Sequence, residues 1–388
     1  MNYYDYIIVG GGASGLMMAY RMSQDVFFDN KSILILDKVK KNTNDRTWCY
    51  WETENDEWND IVSKSWQNII FKSDIHSAQE NITPYQYKMI RSKEFYSKIW
   101  NHLETTSNIT FQEANVINIQ QLENEAEVIT TDKSYKTKTI LNSILFSNEY
   151  KTQTKYPVLQ QHFVGFFIKT KENVFDDSAA TFMDFTVEQR KNTRFMYILP
   201  YKKNEALFEY TLFSKDLLSY DEYKNEIEKY LSDRNITNYE IVEKEQGSIP
   251  MTSYKFWKNN SKNIIYIGTA GGWSKASTGF TFKNTTRNTA KLISHIKQNK
   301  PLTSFHKIDK FWFYDLLLLD ILSKKNQIGA YIFAKMFQKN HPKKILKFLD
   351  EETSLIEDLQ ITLKMPPSNF IKALFHRIFY HFNRGKND

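Results

Sequence analysis

The chain has 388 residues, of which 41% are hydrophobic and 15% aromatic, so it is long enough to form two domains or one large domain with a substantial apolar core. Its net charge is +7, but neither a zinc-type Cys/His spacing nor a nucleic-acid-binding motif accompanies that charge, so we expect no metal site and no nucleic-acid partner. The single cysteine, Cys49, excludes an intrachain disulfide and fits a reducing compartment, and the absence of any run of about 18 apolar residues argues against a membrane-spanning helix.

The first predicted strand runs directly into a glycine-rich turn. An apolar run ends at Val9, the residues Gly10, Gly12 and Gly15 form a G-x-G-x-x-G motif, and a helix-forming run follows. The first glycine permits the tight turn, the second lets a pyrophosphate approach the backbone, and the third lets the helix pack near the strand. The N–H groups at the start of the helix would face the phosphates. The cofactor-binding residues predicted from this turn are Gly10, Gly12, Ala13, Ser14 and Gly15.

The second predicted strand, residues 33–36, ends in an acid. Asp37 follows the glycines by roughly 20 residues, where a carboxylate can hydrogen-bond the ribose hydroxyls of an adenosine. We include the neighbouring Lys38 in the predicted cofactor site. A glycine-rich turn without a ligand is disfavoured, because strand, glycines, helix, second strand and acid occur in the expected order. The sequence therefore predicts a Rossmann-like dinucleotide-binding domain.

A charged segment next meets three aromatic residues, in the sequence N-D-R-T-W-C-Y-W-E at positions 44–52. The Arg46 guanidinium offers bidentate donors to a phosphate or an anionic ring edge, and Trp48 and Trp51 would then wall an apolar cavity. The alternative is a structural Arg–carboxylate pair beside core tryptophans, and the spacing alone slightly favours that alternative. Further on, residues 85–102 are predicted as an amphipathic helix that carries Arg91, and residues 116–128 and 135–146 as strands of a small sheet.

From about residue 157 the predicted strands become long and aromatic. They cover residues 160–169, 180–185, 194–200 and 206–214, as expected of a sheet with one face against a large apolar ligand. An ordinary packed sheet would use the same residues.

Two acids stand out in this sheet, Glu209 within L-F-E-Y and Asp184 within M-D-F. Strand alternation places Glu209 on the opposite face from Phe208 and Tyr210. In a dry environment desolvation would raise the pKa of Glu209 and keep it protonated, as a proton donor to hydrocarbon requires. The alternative for either acid is exposure to solvent or a pair with an arginine such as Arg194.

A second glycine cluster follows a predicted strand at residues 264–267 and precedes a helix that begins near residue 281. Its glycines again indicate close approach of a ligand to the backbone. The cofactor-binding residues predicted here are Gly268, Gly271, Gly272, Thr278 and Gly279.

The last part of the chain, residues 301–388, is predicted to be helical, aromatic and basic, with 14 Lys and Arg against 9 Asp and Glu. Such helices can lie in a membrane interface. They can equally form a cap that packs on the sheet, and the net charge can serve solubility alone.

Together these motifs resemble the bacterial lycopene β-cyclase family. The motifs concerned are the glycine-rich turn, N-D-R-T-W-C-Y-W-E, M-D-F, L-F-E-Y-T-L-F-S, I-P-M and G-T-A-G-G-W. The chain departs from related patterns at two positions. Thr269 stands where flavoproteins of the p-hydroxybenzoate hydroxylase type have an aspartate, and Ala276 stands where the family has a proline, so the loop around it is expected to be less rigid.

The resemblance implies that each ψ-end of lycopene is closed to a β-ionone ring, giving γ-carotene and then β-carotene without net redox change. It implies that FAD is bound and active in its reduced form, with NAD(P)H as reductant. A reduced flavin would stabilise the carbocation, by roughly 3 kcal/mol for a unit charge at about 5 Å and an effective dielectric near 20. The resemblance assigns Glu209 as proton donor and Asp184 as the residue that orients donor or substrate, and it brings Arg91 to the cofactor phosphates.

Two other functions stay open at this point, an FAD-dependent reductase or hydroxylase that acts on an isoprenoid lipid and a non-enzymatic carotenoid carrier. The predicted fold is α/β, an FAD-binding Rossmann-like domain of the p-hydroxybenzoate hydroxylase type. The predicted domains are residues 1–156 and 251–300 for FAD, 157–250 for an antiparallel substrate sheet, and 301–388 for a helical, membrane-facing or capping region. We expect the protein to act at the cytoplasmic side of a membrane, as a peripheral protein.

Overall fold

The computed structural model describes residues 3–384, with side chains described through residue 378. In chain order the strands are β1 (Tyr3–Val9), β2 (Ile33–Asp37), β3 (Thr47–Glu52), β4 (Val62–Trp66), β5 (Asn68–Lys72), β6 (Ser77–Asn81), β7 (Gln86–Arg91), β8 (Ile109–Glu113), β9 (Val116–Gln121), β10 (Ala126–Thr130), β11 (Ser134–Asn142), β12 (Leu159–Thr170), β13 (Ala179–Asp184), β14 (Thr193–Lys202), β15 (Glu205–Ser214), β16 (Tyr239–Met251) and β17 (Ile264–Tyr266). The α-helices are α1 (Ala13–Ser23), α2 (Ser92–Leu103), α3 (Glu149–Thr152), α4 (Tyr220–Ser232), α5 (Phe282–Lys297), α6 (Lys310–Lys324), α7 (Gly329–Lys339), α8 (Pro342–Leu349), α9 (Leu355–Thr362) and α10 (Pro367–Arg384). The end of the predicted C-terminal region, residues 385–388, lies outside the described residues.

The chain forms two compact units. The first consists of Met1–Tyr50, Ile90–Lys155 and Ser253–Asp309, and the second of Trp51–Met89, Tyr156–Thr252 and Lys310–Asp388. The chain passes between them inside β3 and β7, which belong to a three-stranded sheet of order β3–β7–β4. The sequence predicts the segment Trp51–Met89 as part of the FAD-binding domain. In the structure it belongs to the second unit, because β5 pairs with β13 there.

The first unit is built on a seven-stranded sheet in the order β8–β2–β1–β11–β10–β9, with β17 beside β11. Strands β8, β2, β1, β11 and β17 pair in parallel, whereas β10 pairs antiparallel with both of its neighbours, β11 and β9. Apolar residues such as Ile7, Leu34 and Ile140 fill its core, as expected of a parallel sheet that is covered on both faces. Helix α1 packs against both α2 and α5. This arrangement places the β1–α1 turn at the carboxyl edge of the central strand, where open α/β sheets bind ligands.

The second unit contains a seven-stranded sheet in the order β16–β12–β15–β14–β13–β5–β6. The pairs from β16 to β14 are antiparallel and β13 pairs with β5 in parallel. One face, with residues such as Phe166, Met196 and Phe208, packs against Tyr223 and other apolar residues of α4. The long strands agree with the aromatic strands predicted from the sequence.

The C-terminal helices also belong to the second unit. Phe333 of α7 contacts Phe213 of β15 and stacks on Phe185, and the buried side chain of Arg377 on α10 forms a bidentate ion pair with Asp320 on α6, with both N–O distances at 2.5 Å. These contacts make part of the C-terminal region a cap on its own unit. Within residues 3–384, no helix has the combination of length and apolar character needed to cross a membrane.

The sequence was wrong about residues 85–102. Their first third forms strand β7, and the helix begins only at Ser92. The apolar residues Tyr87, Met89 and Ile90 are buried in the sheet, so strand pairing overrides the helical periodicity here.

Candidate functional site

In the glycine-rich turn after β1, the fold requires glycine at positions 10 and 15 but not at position 12. Gly10 has a φ of +100°, and a Cβ there would collide with Oγ of Ser143. A Cβ at Gly15 would collide with the carbonyl oxygen of Gly10. At Gly12, by contrast, a Cβ would meet no described atom within 4 Å. The protein alone therefore does not need a glycine at position 12, and the open space fits a ligand phosphate.

The start of α1 supplies donors to that space. Gly12 is the N-cap of α1, and no described side chain caps the helix. The N–H groups of the first turn, from Ala13 and Ser14 onward, are thus left to an anion or to water. The turn fits the pyrophosphate of a dinucleotide.

Asp37, at the end of β2, stabilises this turn through hydrogen bonds. Its Oδ2 accepts a hydrogen bond from N–H of Gly11 at 2.6 Å, and its Oδ1 accepts one from N–H of Lys38 at 2.6 Å. A carboxylate has about four acceptor sites, so Asp37 retains capacity for the hydroxyls of a ribose. The side chain of Lys38 is exposed.

The second glycine loop lies against the first within the same unit. A Cβ at Gly268 would collide with Oγ of Ser14, so the two turns approach each other at the backbone. Gly268, Gly272 and Gly279 have φ values of +58°, +74° and +71°, which favour glycine. A Cβ at Gly271 would collide with the carbonyl group of Tyr266. The loops predicted separately from sequence therefore meet.

Polar side chains of the second loop bond mostly with one another. Thr269 Oγ1 lies 3.0 Å from Oγ of Ser274, which accepts a bond from Thr281 at 2.8 Å. Thr269 stands where flavoproteins of the p-hydroxybenzoate hydroxylase type have an aspartate. In this chain its hydroxyl contacts Ser274 and so stabilises the loop itself. The Oγ1 atom of Thr278 is buried and has no hydrogen-bond partner among the described residues. Such an atom is expected to find its partner in a ligand or water.

The two predicted phosphate-binding arginines lie on neighbouring segments. Arg46 is exposed, and its guanidinium donates to the carbonyl of Asp45 at 2.5 Å. The carboxylate of Asp45 bonds with Lys41 and Tyr96 at 2.9 and 2.8 Å. Arg46 forms no ion pair with a carboxylate among the described residues, so the Arg–carboxylate pair of the structural alternative is not found there. Arg91 ends β7 and is the N-cap of α2, and the backbone N–H of Ser92, which follows it, donates to the carbonyl of Arg46.

The two tryptophans beside Arg46 pack against other residues to different depths, since Trp48 is half-buried and Trp51 is buried. Trp48 contacts Phe95 and Phe282 with ring centroids 5.2 and 5.4 Å apart. Trp51 is buried and donates from Nε1 to the carbonyl of Leu346 at 3.1 Å. Trp51 is thus a core residue, as the structural alternative expects, and the predicted apolar cavity beside Trp48 and Trp51 stays a prediction. Within the described part of the chain, no cluster of His, Cys, Asp and Glu is suited to a metal ion.

Glu209 lies in the centre of the sheet of the second unit, on β15. It is 7% exposed and accepts a hydrogen bond from Oγ1 of Thr211 at 2.7 Å. Desolvation by burial raises the pKa of the Glu209 carboxyl well above its usual range, and the neighbouring carboxylate of Glu245 raises it further. Glu209 can therefore hold a proton near neutral pH, as the sequence had led us to expect.

Glu245 was missed by the sequence analysis. It lies on β16 among Glu240, Glu243 and Lys244, so it looked like part of a solvated, charged strand. In the structure its side chain is 8% exposed and hydrogen-bonds with Glu209. The alternation of exposed residues before Glu245 and the glycine at position 247 were the only signals in the sequence. The pairing of β16 with β12 is what shows that Glu245 lies beside Glu209.

The other predicted acid, Asp184, is not beside Glu209. It pairs in register with Met196, which lies on the face of the sheet covered by α4, whereas Glu209 lies on the opposite face. Its carboxylate accepts hydrogen bonds from Tyr230 at 2.6 Å, Arg234 at 3.3 Å, and both N–H and Oγ1 of Thr186. Asp184 ties β13 to α4, and the sheet separates it from the proton donor that it was expected to orient.

Arg194, the alternative partner for Glu209, lies on the α4 face as well. Its Nη1 donates to the hydroxyl of Tyr210 at 3.4 Å. The arrangement leaves Glu209 with Thr211 and Glu245 as its polar contacts in the described structure. Such a neutral carboxyl can donate a proton to an apolar substrate.

A family model described as "Lycopene cyclase protein" matches residues 5–375. Among curated proteins, the chain is 22% identical over 295 residues to neoxanthin synthase of Solanum tuberosum, which covers 71% of this chain and 57% of that protein. It is 22% identical over 304 residues to capsanthin/capsorubin synthase of Citrus sinensis, covering 73% of this chain and 58% of that protein. The chain thus spans less than two thirds of these relatives.

The fold resembles solved flavoproteins at very low sequence identity. A flavoprotein/dehydrogenase from Cytophaga hutchinsonii has a TM-score of 0.65 at 10% identity, covering 97% of this chain and 100% of that chain. A geranylgeranyl bacteriochlorophyll reductase-like protein from Thermoplasma acidophilum has a TM-score of 0.62 at 10% identity, covering 96% and 98%. The predicted fold class, a Rossmann-type FAD-binding fold with an antiparallel sheet and C-terminal helices, is confirmed.

Proposed function

The chain belongs to the lycopene cyclase family, and we propose that it closes the ψ-ends of lycopene and related acyclic carotenoids to β-ionone rings, giving γ-carotene and then β-carotene. The observation that carries this proposal is the carboxyl of Glu209, 7% exposed on a sheet strand. Burial raises its pKa, so the carboxyl keeps its proton near neutral pH and is available as a proton donor.

The proposed reaction moves protons and forms one carbon–carbon bond per ring. The Glu209 carboxyl gives its proton to carbon 2 of the terminal alkene, which leaves a tertiary cation at carbon 1. Carbon 6 attacks carbon 1, the positive charge moves to carbon 5, and loss of the proton on carbon 6 forms the ring double bond. No electrons enter or leave, so substrate and product have the same composition.

The first unit fits FAD on three features, which are the open space at Gly12, the start of α1 and Oγ1 of Thr278. Among the described residues, no side chain caps α1 and none bonds this Oγ1. In its reduced state bound FAD supplies negative charge that stabilises a carbocation. NAD(P)H is the proposed source of the electrons that keep FAD reduced. The residues that would hold the cofactor are Gly10, Gly12, Ala13, Ser14, Gly15, Asp37, Lys38, Arg46, Arg91, Gly268, Gly271, Gly272, Thr278 and Gly279.

We further propose that the protein binds an anionic membrane surface through α9 and α10. Helix α9 and the residue after it expose the apolar side chains Leu359 and Leu363, and α10 exposes Ile371 and Phe375. Lys372 is also exposed beside them. Apolar insertion together with lysine attraction is the usual basis of peripheral lipid binding. Leu359→Gln with Phe375→Gln should reduce co-sedimentation with anionic vesicles; unchanged sedimentation would contradict the proposal.

The direct test is to express the chain in lycopene-accumulating cells and to extract the carotenoids. The wild-type chain should produce β-carotene, and Glu209→Gln should leave lycopene while the purified variant still carries flavin. Lycopene left unchanged by the folded, flavin-loaded wild type would contradict the proposed function. β-Carotene in the Glu209→Gln cells would remove Glu209 from the reaction. A flavin oxidoreductase would instead consume NAD(P)H in proportion to product.

A further inference from the structure

One row of residues crosses three neighbouring strands of the sheet in the second unit, from the edge strand β16 to β15. Gly165 on β12 pairs in register with Glu209 on β15 and with Glu245 on β16. Residues in register on neighbouring strands point to the same face. Two carboxylates therefore flank a residue that has no side chain.

The glycine is what allows these carboxylates to approach each other. A Cβ at position 165 would lie 3.2 Å from Cγ of Glu245, 3.5 Å from Cβ of Glu209 and 2.8 Å from Cδ1 of Leu207. With glycine there, the two side chains meet across β12 and form a hydrogen bond. Two carboxylates can be joined by a hydrogen bond only when one of them carries the proton.

Apolar side chains flank the row along β12 and β15. Along β12, Phe163 and Phe167 flank Gly165 on the same face, and the ring of Phe163 covers the backbone of Gly247. Phe167 and Leu207 are fully buried. Like charges this close in a dry environment cannot both remain ionised, so the pair holds one proton between two carboxyls.

We propose that Glu209 and Glu245 act as one acid–base unit, in which Glu245 shares the proton of Glu209 and the pair takes back the proton that the closing ring releases. This proposal rests on the proposed function. Carbon 2, which receives a proton, and carbon 6, which loses one, are both bonded to carbon 1 of the new ring. One pair of adjacent carboxyls therefore has both carbons within its reach.

The proton balance closes within the pair. At the start the pair carries one proton and one negative charge. Donation to carbon 2 leaves two carboxylates beside a cation, and the added negative charge stabilises that cation. When carbon 6 loses its proton to the pair, the starting charge returns, so no other base is required and no proton is gained or lost overall.

The charge that acts on Glu209 comes from its partner in the pair, Glu245. The other ionisable groups in register on this face of the neighbouring strands are Tyr197, Tyr201, Lys169, Lys202, Glu205, Glu240 and Glu243, with Tyr87 of β7 hydrogen-bonded to Tyr197. At the strand end Glu205 forms ion pairs with Lys202 at 2.9 Å and with Lys169 at 3.5 Å. Since the charged group that acts on Glu209 is Glu245, removing that charge should shift the titration of Glu209 downward.

The test compares Glu245→Gln with Glu240→Gln, an exposed acid on the same strand. The pH dependence of β-carotene formation should lose its alkaline limb about one to two pH units lower in Glu245→Gln, whereas Glu240→Gln should match the wild type. An alkaline limb that stays in place in folded Glu245→Gln would overturn the proposal, because a purely structural role would not move it. If Glu245→Gln does not fold, Glu245→Asp keeps the charge but shortens its reach, and it should slow ring closure at least tenfold; an unchanged rate would overturn the proposal.

Infrared difference spectra separate this proposal from the proposed function, because they need no carotenoid. At neutral pH the wild type should show the C=O band of a protonated carboxyl that disappears in Glu209→Gln and shifts in Glu245→Gln. If this band behaves so but lycopene is not cyclised, the pair stands and the proposed function fails. If β-carotene forms but no protonated carboxyl is present, the shared proton fails and the proposed function stands.

Discussion

Each face of the seven-stranded sheet in the second unit holds a buried acid, but the hydrogen-bond partners of the two acids differ. On the α4 face, Asp184 is fully buried and accepts four hydrogen bonds from Tyr230, Arg234 and Thr186. On the other face, Glu209 accepts one from Thr211 and faces a second carboxylate in Glu245. The hydrogen bonds of Asp184 tie β13 to α4, whereas the raised pKa of Glu209 suits it to gain and lose a proton.

The comparison shows that burial of an acid does not by itself indicate catalysis. What differs is the set of partners that register and helix packing bring to each face. The two acids are close in the sheet, yet one stabilises the fold and the other is the group for which we propose chemistry. Each prediction below tests one side of this contrast.

The largest effect is expected on turnover in Glu209→Gln. An amide cannot donate the proton, so the rate of ring closure by purified, FAD-loaded protein should fall by about 10²–10⁴. Single-turnover conversion of lycopene, followed by chromatography, measures this rate. Glu240→Gln, which removes an exposed acid from the same sheet, should be unaffected, and a loss of less than tenfold in Glu209→Gln would contradict its role.

Asp184→Ala should affect stability and not chemistry. The substitution leaves Tyr230 and Thr186 without their buried acceptor and removes the charge partner of Arg234, so the free energy of unfolding should fall by about 3 kcal/mol. Urea unfolding measures the loss. Turnover per folded molecule should stay within a few-fold of wild type, and a large selective loss of turnover would restore Asp184 to the reaction.

Gly12→Ala should separate the fold from cofactor binding. Because a Cβ there meets no described atom within 4 Å, the free energy of unfolding without FAD should change by less than about 1 kcal/mol. FAD affinity, measured by flavin fluorescence, should fall at least tenfold since the methyl group occupies the place of a phosphate. Gly15→Ala is the matched contrast, because its Cβ collides with the backbone and should destabilise the protein even without FAD.

The pH dependence of stability should have opposite signs on the two faces. On the α4 face, burial lowers the pKa of His162 to about 4 from 6.5, so the unfolded chain binds more protons in this range and stability rises as pH increases from about 4 to 6.5. Burial raises the pKa of Glu209 above 4.5, so the folded chain binds more protons and stability falls as pH rises above that value.

Urea unfolding across pH measures both slopes. His162→Gln should flatten the rise and Glu209→Gln should flatten the fall. A His162→Gln variant that keeps the full acidic slope would show that another group causes it.

The smallest effect is expected for Thr211→Val. Removing the hydroxyl takes away a hydrogen bond of 2.7 Å to Glu209, which should cost about 1 kcal/mol of stability. Because this bond lowers the pKa of Glu209, its loss should move the alkaline limb of turnover to higher pH. A shift to lower pH would contradict the assignment of that limb to Glu209.

The sequence predicted best what depends on local pattern. The β1–α1 turn, the acid at Asp37 and the glycines around Gly268 follow from spacing, because glycine positions and an apolar strand dictate the local geometry. The placement of Glu209 and Phe208 on opposite faces of the sheet follows from the period-two alternation of a strand.

What failed depends on pairing between distant strands and helices. Asp184 and Glu209 looked alike in sequence, and only the packing of α4 separates them. Glu245 looked solvated until its register with Gly165 brought it to Glu209. Likewise the spacing of Tyr87, Met89 and Ile90 predicts a helix face, because the strands β3 and β4 that pair with β7 are distant from it in sequence.

The most direct test of the central claim, that the Glu209 carboxyl starts ring closure with a proton, is the mass spectrum of β-carotene formed in D₂O. In a single turnover, purified protein equilibrated in D₂O should place one deuterium on carbon 2 of the first ring that it closes, before the proton from carbon 6 reloads the pair, and Glu209→Gln should form no labelled ring. First rings formed by the wild type without deuterium, or labelled rings formed at the same rate by Glu209→Gln, would contradict it.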